Sequence, residues 1–168
     1  MEIVLIRHSE PDYSFIKKDM NCQWANLAPL TKKGIEIAEN VRSDERLTKG
    51  LILSSPYTRA LQTAHVLFPD RNIIVEPMLH EWLPDTRFNI KAYDVYIYNK
   101  EYKENNGFHK DPNSTWEERP SLKNRIESVI EKYKNEEKII IVAHERLISA
   151  FLDRNTRISY CEINVVSR

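Results

Sequence analysis

The sequence predicts an α/β fold for residues 1–168: one domain in which a mostly parallel central sheet lies between two layers of helices, a three-layer α/β/α sandwich. Two observations support this prediction. Short runs of β-branched and aliphatic residues recur along the chain, and segments with helical patterns lie between them. The chain shows no internal repeat and no linker, and 168 residues are enough for one compact domain.

Three runs have the character of buried strands: Glu2–Arg7, Leu51–Ser54 and Lys138–Ala143. Each is rich in Ile, Leu or Val, which is typical of parallel strands that are covered on both faces. Ile73–Glu76 and Ile163–Val166 are weaker candidates for further strands. Strand and helix therefore alternate, and this alternation favours parallel strands joined by helical crossovers.

Helical patterns fill the spaces between these strands. Thr31 can cap a helix that runs to Val41, and Pro56 can open a helix that runs to about Leu67. From Ser121 to Lys134, apolar residues recur every three or four positions, which predicts an amphipathic helix with one buried stripe.

Residues 84–120 differ in composition from the rest of the chain. Tyrosines stand there among Lys, Asn and Glu, and Asp111-Pro112-Asn113 has the residues of a turn. We expect this segment to form a short helical cap, inserted into the domain. Its aromatic residues are expected to pack mainly against the core, and the cap is a candidate for selecting the substrate.

Charge and hydropathy exclude several classes of partner. The 25 basic side chains balance 25 acidic ones, so no broad positive field is available for nucleic acid or an anionic membrane. The longest apolar runs, such as residues 139–143, are far too short to span a bilayer, and the first residues lack the basic region of a signal peptide. We expect a cytoplasmic protein. The sequence predicts no oligomeric state.

Cysteine and glycine usage narrows the chemistry further. Cys22 and Cys161 are far apart and are expected to be free thiols, neither a disulfide nor a zinc ligand pair. The three glycines form no Walker loop and no G-x-G-x-x-G motif, so a nucleotide cofactor is not expected.

Side chains suited to phosphate chemistry follow the predicted strands. In a parallel sheet, ligands bind beyond the carboxyl ends of the strands, where loops and helix N-termini converge. The residues at these strand ends are Arg7 and His8, then Ser54, Ser55 and Arg59, then Glu81, and last His144.

Each of these residue types has a role on a phosphate ester. Guanidiniums hold phosphoryl oxygens through charge-assisted hydrogen bonds. An uncharged histidine can attack phosphorus, and a protonated one can donate to a phosphoryl oxygen. A carboxylic acid can protonate the leaving group and then activate water. Spacing alone does not say which histidine attacks. A metal site is not expected, since no H-E-x-x-H pattern occurs and the arginines would repel a cation.

These residues stand in motifs that resemble the histidine phosphatase superfamily, on its phosphoglycerate-mutase-like side. The matching stretches span nearly the whole chain, and the part that varies among family members is 84–120. They are Leu5-Ile6-Arg7-His8-Ser9-Glu10-Pro11, Pro29-Leu30-Thr31-Lys32-Lys33-Gly34, Ser54-Ser55-Pro56-Tyr57-Thr58-Arg59-Ala60-Leu61-Gln62-Thr63-Ala64, Leu79-His80-Glu81-Trp82 and Ile141-Val142-Ala143-His144.

The resemblance implies a metal-independent, cofactor-free phosphatase that hydrolyses phosphate monoesters through a covalent phosphohistidine. It implies that His8 is the nucleophile, that Glu81 is the general acid and base, and that Arg7, Arg59 and His144 bind phosphate. Asp85 is an alternative acid. The substrate would be a small phosphorylated metabolite or a phosphoprotein.

Three positions depart from the family pattern. Ser9 stands where glycine is usual and Ser14 where asparagine is frequent, and either hydroxyl could donate to phosphate. Glu145 also stands where glycine is common, and a carboxylate pointing inward there would repel the substrate. A non-catalytic phospho-ligand-binding or regulatory protein on the same fold is therefore a second hypothesis, and a phosphoglycerate-type mutase is a third.

Overall fold

A computed structural model describes residues 1–168 and confirms the α/β prediction. Five strands form one sheet: β1 (Glu2–Arg7), β2 (Leu51–Ser54), β3 (Ile73–Val75), β4 (Lys138–Ala143) and β5 (Ile163–Ser167). They lie in the order β3-β2-β4-β1-β5. The first four are parallel to one another, and β5 pairs antiparallel with β1 at the edge.

Five α-helices connect the strands: α1 (Lys32–Val41), α2 (Thr58–Leu67), α3 (Val95–Glu104), α4 (Arg119–Lys132) and α5 (Glu145–Phe151). Short 3₁₀ turns occupy Cys22–Leu27, Glu45–Leu47, Pro77–Leu79 and Ala92–Asp94.

Sequence signals for the helix ends are confirmed to within two residues. The side chain of Thr31 accepts a hydrogen bond from the backbone N–H of Gly34 and so caps α1. Helix α2 begins at Thr58 rather than at Pro56, because Tyr57 still has an extended backbone. Helix α4 begins two residues before the predicted Ser121 and places a proline in its first turn, where the missing N–H costs nothing.

The central strands are buried on both faces by two hydrophobic clusters. Ile3 and Leu5 of β1 belong to one cluster together with residues of α4 and α5. Val4 and Ile6 point to the opposite face, where α1 and α2 pack. This alternation gives the three layers that the sequence predicted.

Residues 84–120 contain one complete α-helix, α3, and reach the first two residues of α4; the rest consists of turns and loops, including a turn at residues 111–114. Trp116 anchors the segment in the first cluster and is 1% exposed. Tyr102 packs edge-on between Trp82 and Trp116, with ring centroids 5.3 Å from each. Tyr96, by contrast, is 73% exposed, so the expected packing of the cap's aromatic residues holds only for some of them.

Cys22 and Cys161 are buried free thiols, as expected. None of the helices combines the length and the apolar character that a membrane span requires.

Candidate active site

Two histidines leave the sheet side by side. Strands β1 and β4 are paired in register with Arg7 opposite Ala143, so the next residues, His8 and His144, emerge together. The backbone N–H of His8 donates to the carbonyl of Ala143 at 2.9 Å, and the two imidazole centroids are 5.1 Å apart. Both side chains are buried, because His8 is 4% exposed and His144 is not exposed at all.

Hydrogen bonds define the tautomer of His8. Its Nδ1 lies 2.7 Å from the carbonyl oxygen of Ser9, which can only accept, so Nδ1 carries the proton. Its Nε2 accepts from Nε of Arg59 at 3.2 Å. Burial, and then the charges of Arg59 and Arg7, hold the pKa of His8 well below its usual 6.5. Nε2 is therefore an unprotonated nitrogen with its lone pair directed at the Arg59 guanidinium.

His144 is neutral in the same arrangement. Nη2 of Arg59 lies 3.3 Å from its Nδ1, and its Nε2 donates to the hydroxyl of Ser55 at 2.7 Å. Burial, followed by the charge of Arg59, keeps the pKa of His144 well below its usual value. A phosphate dianion between these groups would oppose that shift and favour the protonated, donating form.

Arg7 reaches the same place from β1 and is held on three sides. Its Nη1 donates to the carbonyl of Ile158 at 2.5 Å, its Nη2 pairs with a Glu145 carboxylate oxygen at 3.0 Å, and its guanidinium lies 4.3 Å above the ring of Tyr160. Its Nε is buried without a partner. Glu145 does not line the cavity described below, so the inward-pointing carboxylate considered from the sequence is instead turned to the side and bound to Arg7.

A cavity of about 270 Å³ opens over this cluster. Side chains that line it include Arg7, His8, Tyr13, Tyr57, Arg59, Glu81, Arg146 and Tyr160. His144 lies behind the wall and contributes through its contacts with His8 and Arg59. No group of three or more His, Cys, Asp or Glu side chains that could hold a metal ion occurs in the structure.

The two candidate acids occupy different environments. Glu81 lines the cavity and accepts the N–H of Trp82 at 2.8 Å, and burial raises the pKa of its carboxyl. Asp85 does not line the cavity and accepts the N–H groups of Arg87 and Asn89. Burial raises the pKa of Asp85, but hydrogen bonds, first that from Asn89, outweigh it, and the pKa is lowered. Only Glu81 combines access to the cavity with a tendency to keep its proton.

A buried ion pair that the sequence analysis missed holds the loop of Glu81. Arg125 on α4 donates to both carboxylate oxygens of Glu117, at 2.7 and 3.0 Å, and to the carbonyl of His80 at 3.0 Å. Glu117 in turn accepts the N–H of Leu83 at 3.3 Å. The available signal was an arginine inside the apolar stripe of α4, three residues after Leu122, since a charge in such a position needs a buried partner.

Neither serine proposed as a phosphate ligand lines the cavity. The hydroxyl of Ser9 donates to the carbonyl of Gly34 at 2.6 Å, and its N–H donates to Thr63 at 2.9 Å. Ser14 is exposed, and its N–H donates to Asp12. Ser9 thus joins the loop after β1 to the start of α1, where a Cβ on Gly34 would lie 2.3 Å from the carbonyl oxygen of Glu10.

The tyrosines and Arg146 of the cavity wall were not predicted from the sequence. Tyr57 stands inside a quoted motif, and Arg146 stands two residues after His144, so proximity to strand ends was the signal for both. Tyr13 and Tyr160 come from loops and carried no such signal.

The family model of the histidine phosphatase superfamily (branch 1) matches residues 3–165. No curated protein sequence matches the chain.

Solved structures share the fold at low sequence identity. A mycobacterial glucosyl-3-phosphoglycerate phosphatase is 20% identical over 99% of this chain and 92% of its own, with a TM-score of 0.75. An α-ribazole phosphatase from Shigella flexneri is 23% identical over 99% and 90% of the two chains, with a TM-score of 0.71. A phosphoserine phosphatase from Entamoeba histolytica is 20% identical over 99% and 91%, also with a TM-score of 0.71.

Proposed function

The chain belongs to the histidine phosphatase superfamily, branch 1, and from that premise we propose that it hydrolyses phosphate monoesters through a covalent phosphohistidine on Nε2 of His8. One observation carries the proposal: an unprotonated imidazole nitrogen lies in a cavity lined by Arg7, Arg59 and a carboxyl of raised pKa, that of Glu81.

In the first step the phosphoryl group binds between the guanidiniums of Arg7 and Arg59, with His144 beside them. Its negative charge attracts the Arg59 N–H away from Nε2 of His8 and frees the lone pair. Nε2 attacks phosphorus, a P–N bond forms, and the P–O bond to the leaving group breaks. Glu81 delivers its proton to the departing oxygen.

In the second step Glu81 is a carboxylate and takes a proton from water as the water oxygen attacks phosphorus. The P–N bond breaks, its electron pair returns to Nε2, and inorganic phosphate is released. The proton that Glu81 gave to the leaving group is thus replaced by one from water, and the enzyme regains its starting protonation state. The guanidiniums offset the charge of both transition states, so the reaction as proposed requires no metal ion and no cofactor.

The relatives support small phosphorylated metabolites as the substrate class. They include an α-ribazole phosphatase and a glucosyl-3-phosphoglycerate phosphatase. The phosphoserine phosphatase was solved with phosphoserine in a mutant that replaces a histidine by alanine.

We also propose one domain over residues 1–168, because the sheet extends from Glu2 to Ser167. Free thiols favour the cytoplasm, and a net charge of zero argues against nucleic acid as a partner.

The test uses p-nitrophenyl phosphate and a panel of phosphorylated metabolites in EDTA. We expect turnover by the wild type, its loss by at least about a thousandfold in His8→Ala, and no change in His65→Ala, which removes an exposed histidine of α2. Rapid quenching with radiolabelled substrate should give a protein adduct that is labile to acid and stable to base. Full activity of His8→Ala would refute the mechanism.

The ion pair between Arg7 and Glu145 favours one alternative, a non-catalytic phospho-ligand-binding protein, because a phosphate must compete with that carboxylate. Saturable phosphate binding without turnover of any ester in the panel would support this alternative.

A further inference from the structure

A second, larger concavity lies beside the catalytic cavity. It is a groove of about 1050 Å³ between α3, α5 and the loop of residues 154–157. Two of its wall residues are acidic, Glu104 and Glu145, and six are basic: Lys100, Lys103, Arg119, Arg146, Arg154 and Arg157. Because the whole chain has a net charge of zero, this excess is a local concentration of positive charge.

The groove shares part of its wall with the catalytic cavity. Arg146 and Asn99 line both of them. Glu145, in the groove wall, is 3.0 Å from the guanidinium of Arg7, which lines the cavity. A long ligand whose phosphate lies in the cavity would meet the groove at this shared wall, beside Arg146.

Arg146 lies at the boundary between the groove and the catalytic cavity. Its guanidinium lies between two aromatic rings, 4.1 Å from the centroid of Trp82 and 4.2 Å from that of Tyr102, and it donates to the side chain of Asn99. Its Nη1 is buried and has no hydrogen-bond partner, and no carboxylate lies within ion-pair distance of it. A buried charged donor without a partner is unfavourable, and an anion that accepts from it would remove this penalty.

Further along the groove, the basic side chains divide into two groups. Lys100, Arg119 and Arg154 make ion pairs with neighbouring carboxylates. Lys103 and Arg157 are exposed and make none. The charge available to a ligand therefore lies on Arg146 first and on these two residues next.

We propose that this groove binds a second anionic group of the substrate, so that the preferred substrate is a phosphate monoester that also carries a carboxylate or a second phosphate. This inference rests on the proposed function and adds the substrate class. The bond to Arg146 orients the ester in the cavity, while Lys103 and Arg157 attract the anion over a longer range.

The test compares substrates that share one leaving group. Aryl phosphates with a flexible carboxylate arm, the methyl ester of the same arm, and a phosphonate arm of equal length differ in the charge of the arm but scarcely in the phenol that departs. We expect kcat/KM to be about tenfold higher for the carboxylate than for its ester, as suits one charge-assisted hydrogen bond. The ratio of phosphonate to carboxylate identifies which anion the groove prefers.

Variants assign this preference to residues. Arg146→Gln should reduce the ratio of carboxylate to ester to near one, and Lys103→Ala should reduce it about twofold. Lys49→Ala removes an exposed lysine before β2, at the opposite end of the sheet, and should leave the ratio unchanged. If Arg146→Gln lowered kcat/KM equally for the carboxylate and the ester, Arg146 would contribute to the reaction step and not to recognition of the second anion. That result would overturn the proposal.

A binding measurement separates this inference from the proposed function. Calorimetric titration of the His8→Ala protein with the charged and esterified aryl phosphates does not require turnover. Tighter binding of the charged compound would support the anion site even if no ester were hydrolysed. Equal affinities would refute the site even if the wild type were an active phosphatase.

Discussion

The two sides of the catalytic cavity are positioned by different forces. On the strand-end side, Arg7, His8 and His144 directly end or follow paired strands, so the backbone hydrogen bonds of the sheet determine where they lie. On the side that faces the cap, Glu81 and Arg146 depend on side-chain contacts: a buried ion pair lies behind the first, and two aromatic rings lie around the second. Sheet register therefore locates Arg7 and the two histidines, whereas side-chain packing locates the groups that are proposed to contact the leaving group.

If this division is correct, replacing Glu81 should depend strongly on the leaving group. Glu81→Gln keeps the shape of the side chain but cannot donate a proton as an acid. We expect hydrolysis of alkyl phosphates to slow by about a hundredfold or more, and that of p-nitrophenyl phosphate by less than about tenfold, because p-nitrophenolate departs with little protonation. The measurement is kcat/KM for both esters.

The matched control is Asp85→Asn, four residues away. Asp85 accepts backbone N–H groups outside the cavity, so this change should affect both esters equally. A leaving-group dependence in Asp85→Asn and not in Glu81→Gln would transfer the acid role to Asp85.

The ion pair behind Glu81 should contribute mainly to stability. Arg125→Met leaves the Glu117 carboxylate buried, at 5% exposure, without its cation. We expect the free energy of unfolding to fall by about 3 kcal/mol, measured by chemical denaturation. The double variant Arg125→Met/Glu117→Leu should recover part of that loss, since it leaves no unpaired charge.

The strand-end side should make stability sensitive to acid. The folded pKa values of His8 and His144 lie well below 6.5, so the unfolded chain binds more protons as the pH falls below that value. The free energy of unfolding should then decrease by up to about 1.4 kcal/mol per pH unit for each histidine. In His144→Gln the slope between pH 7 and 5 should be smaller. An unchanged slope would show that His144 is not held neutral in the folded protein.

The smallest expected effect concerns Glu145, which pairs with Arg7 on the strand-end side. Its side chain is 31% exposed, so its bond to Arg7 contributes modestly. In Glu145→Gln we expect KM for p-nitrophenyl phosphate to fall about two- to fivefold with little change in kcat, because phosphate no longer competes with a carboxylate. A rise in KM would indicate instead that Glu145 positions Arg7 for binding.

The sequence predicted the strand-end side well for a physical reason. Strands such as Glu2–Arg7 and Lys138–Ala143 are apolar throughout, and consecutive parallel strands bring their carboxyl ends to one edge. The family model over residues 3–165 confirms the resemblance that these motifs carried.

Other features depend on contacts between residues far apart in the chain. The pair of Arg125 and Glu117, and the bond from Ser9 to Gly34, follow from tertiary packing that no local pattern contains. For the same reason the direction of the Glu145 side chain could not be inferred from its position after His144.

The contact between Arg59 and Nε2 of His8 affects when this nitrogen becomes reactive. In the proposed mechanism, the attacking lone pair of Nε2 accepts the Arg59 N–H until an anion binds, so before that the imidazole is a poor target for other electrophiles. An incoming phosphoryl group that takes over this donor exposes the nitrogen at the moment when phosphorus lies next to it. Recognition of the anion and activation of the nucleophile then occur as a single event.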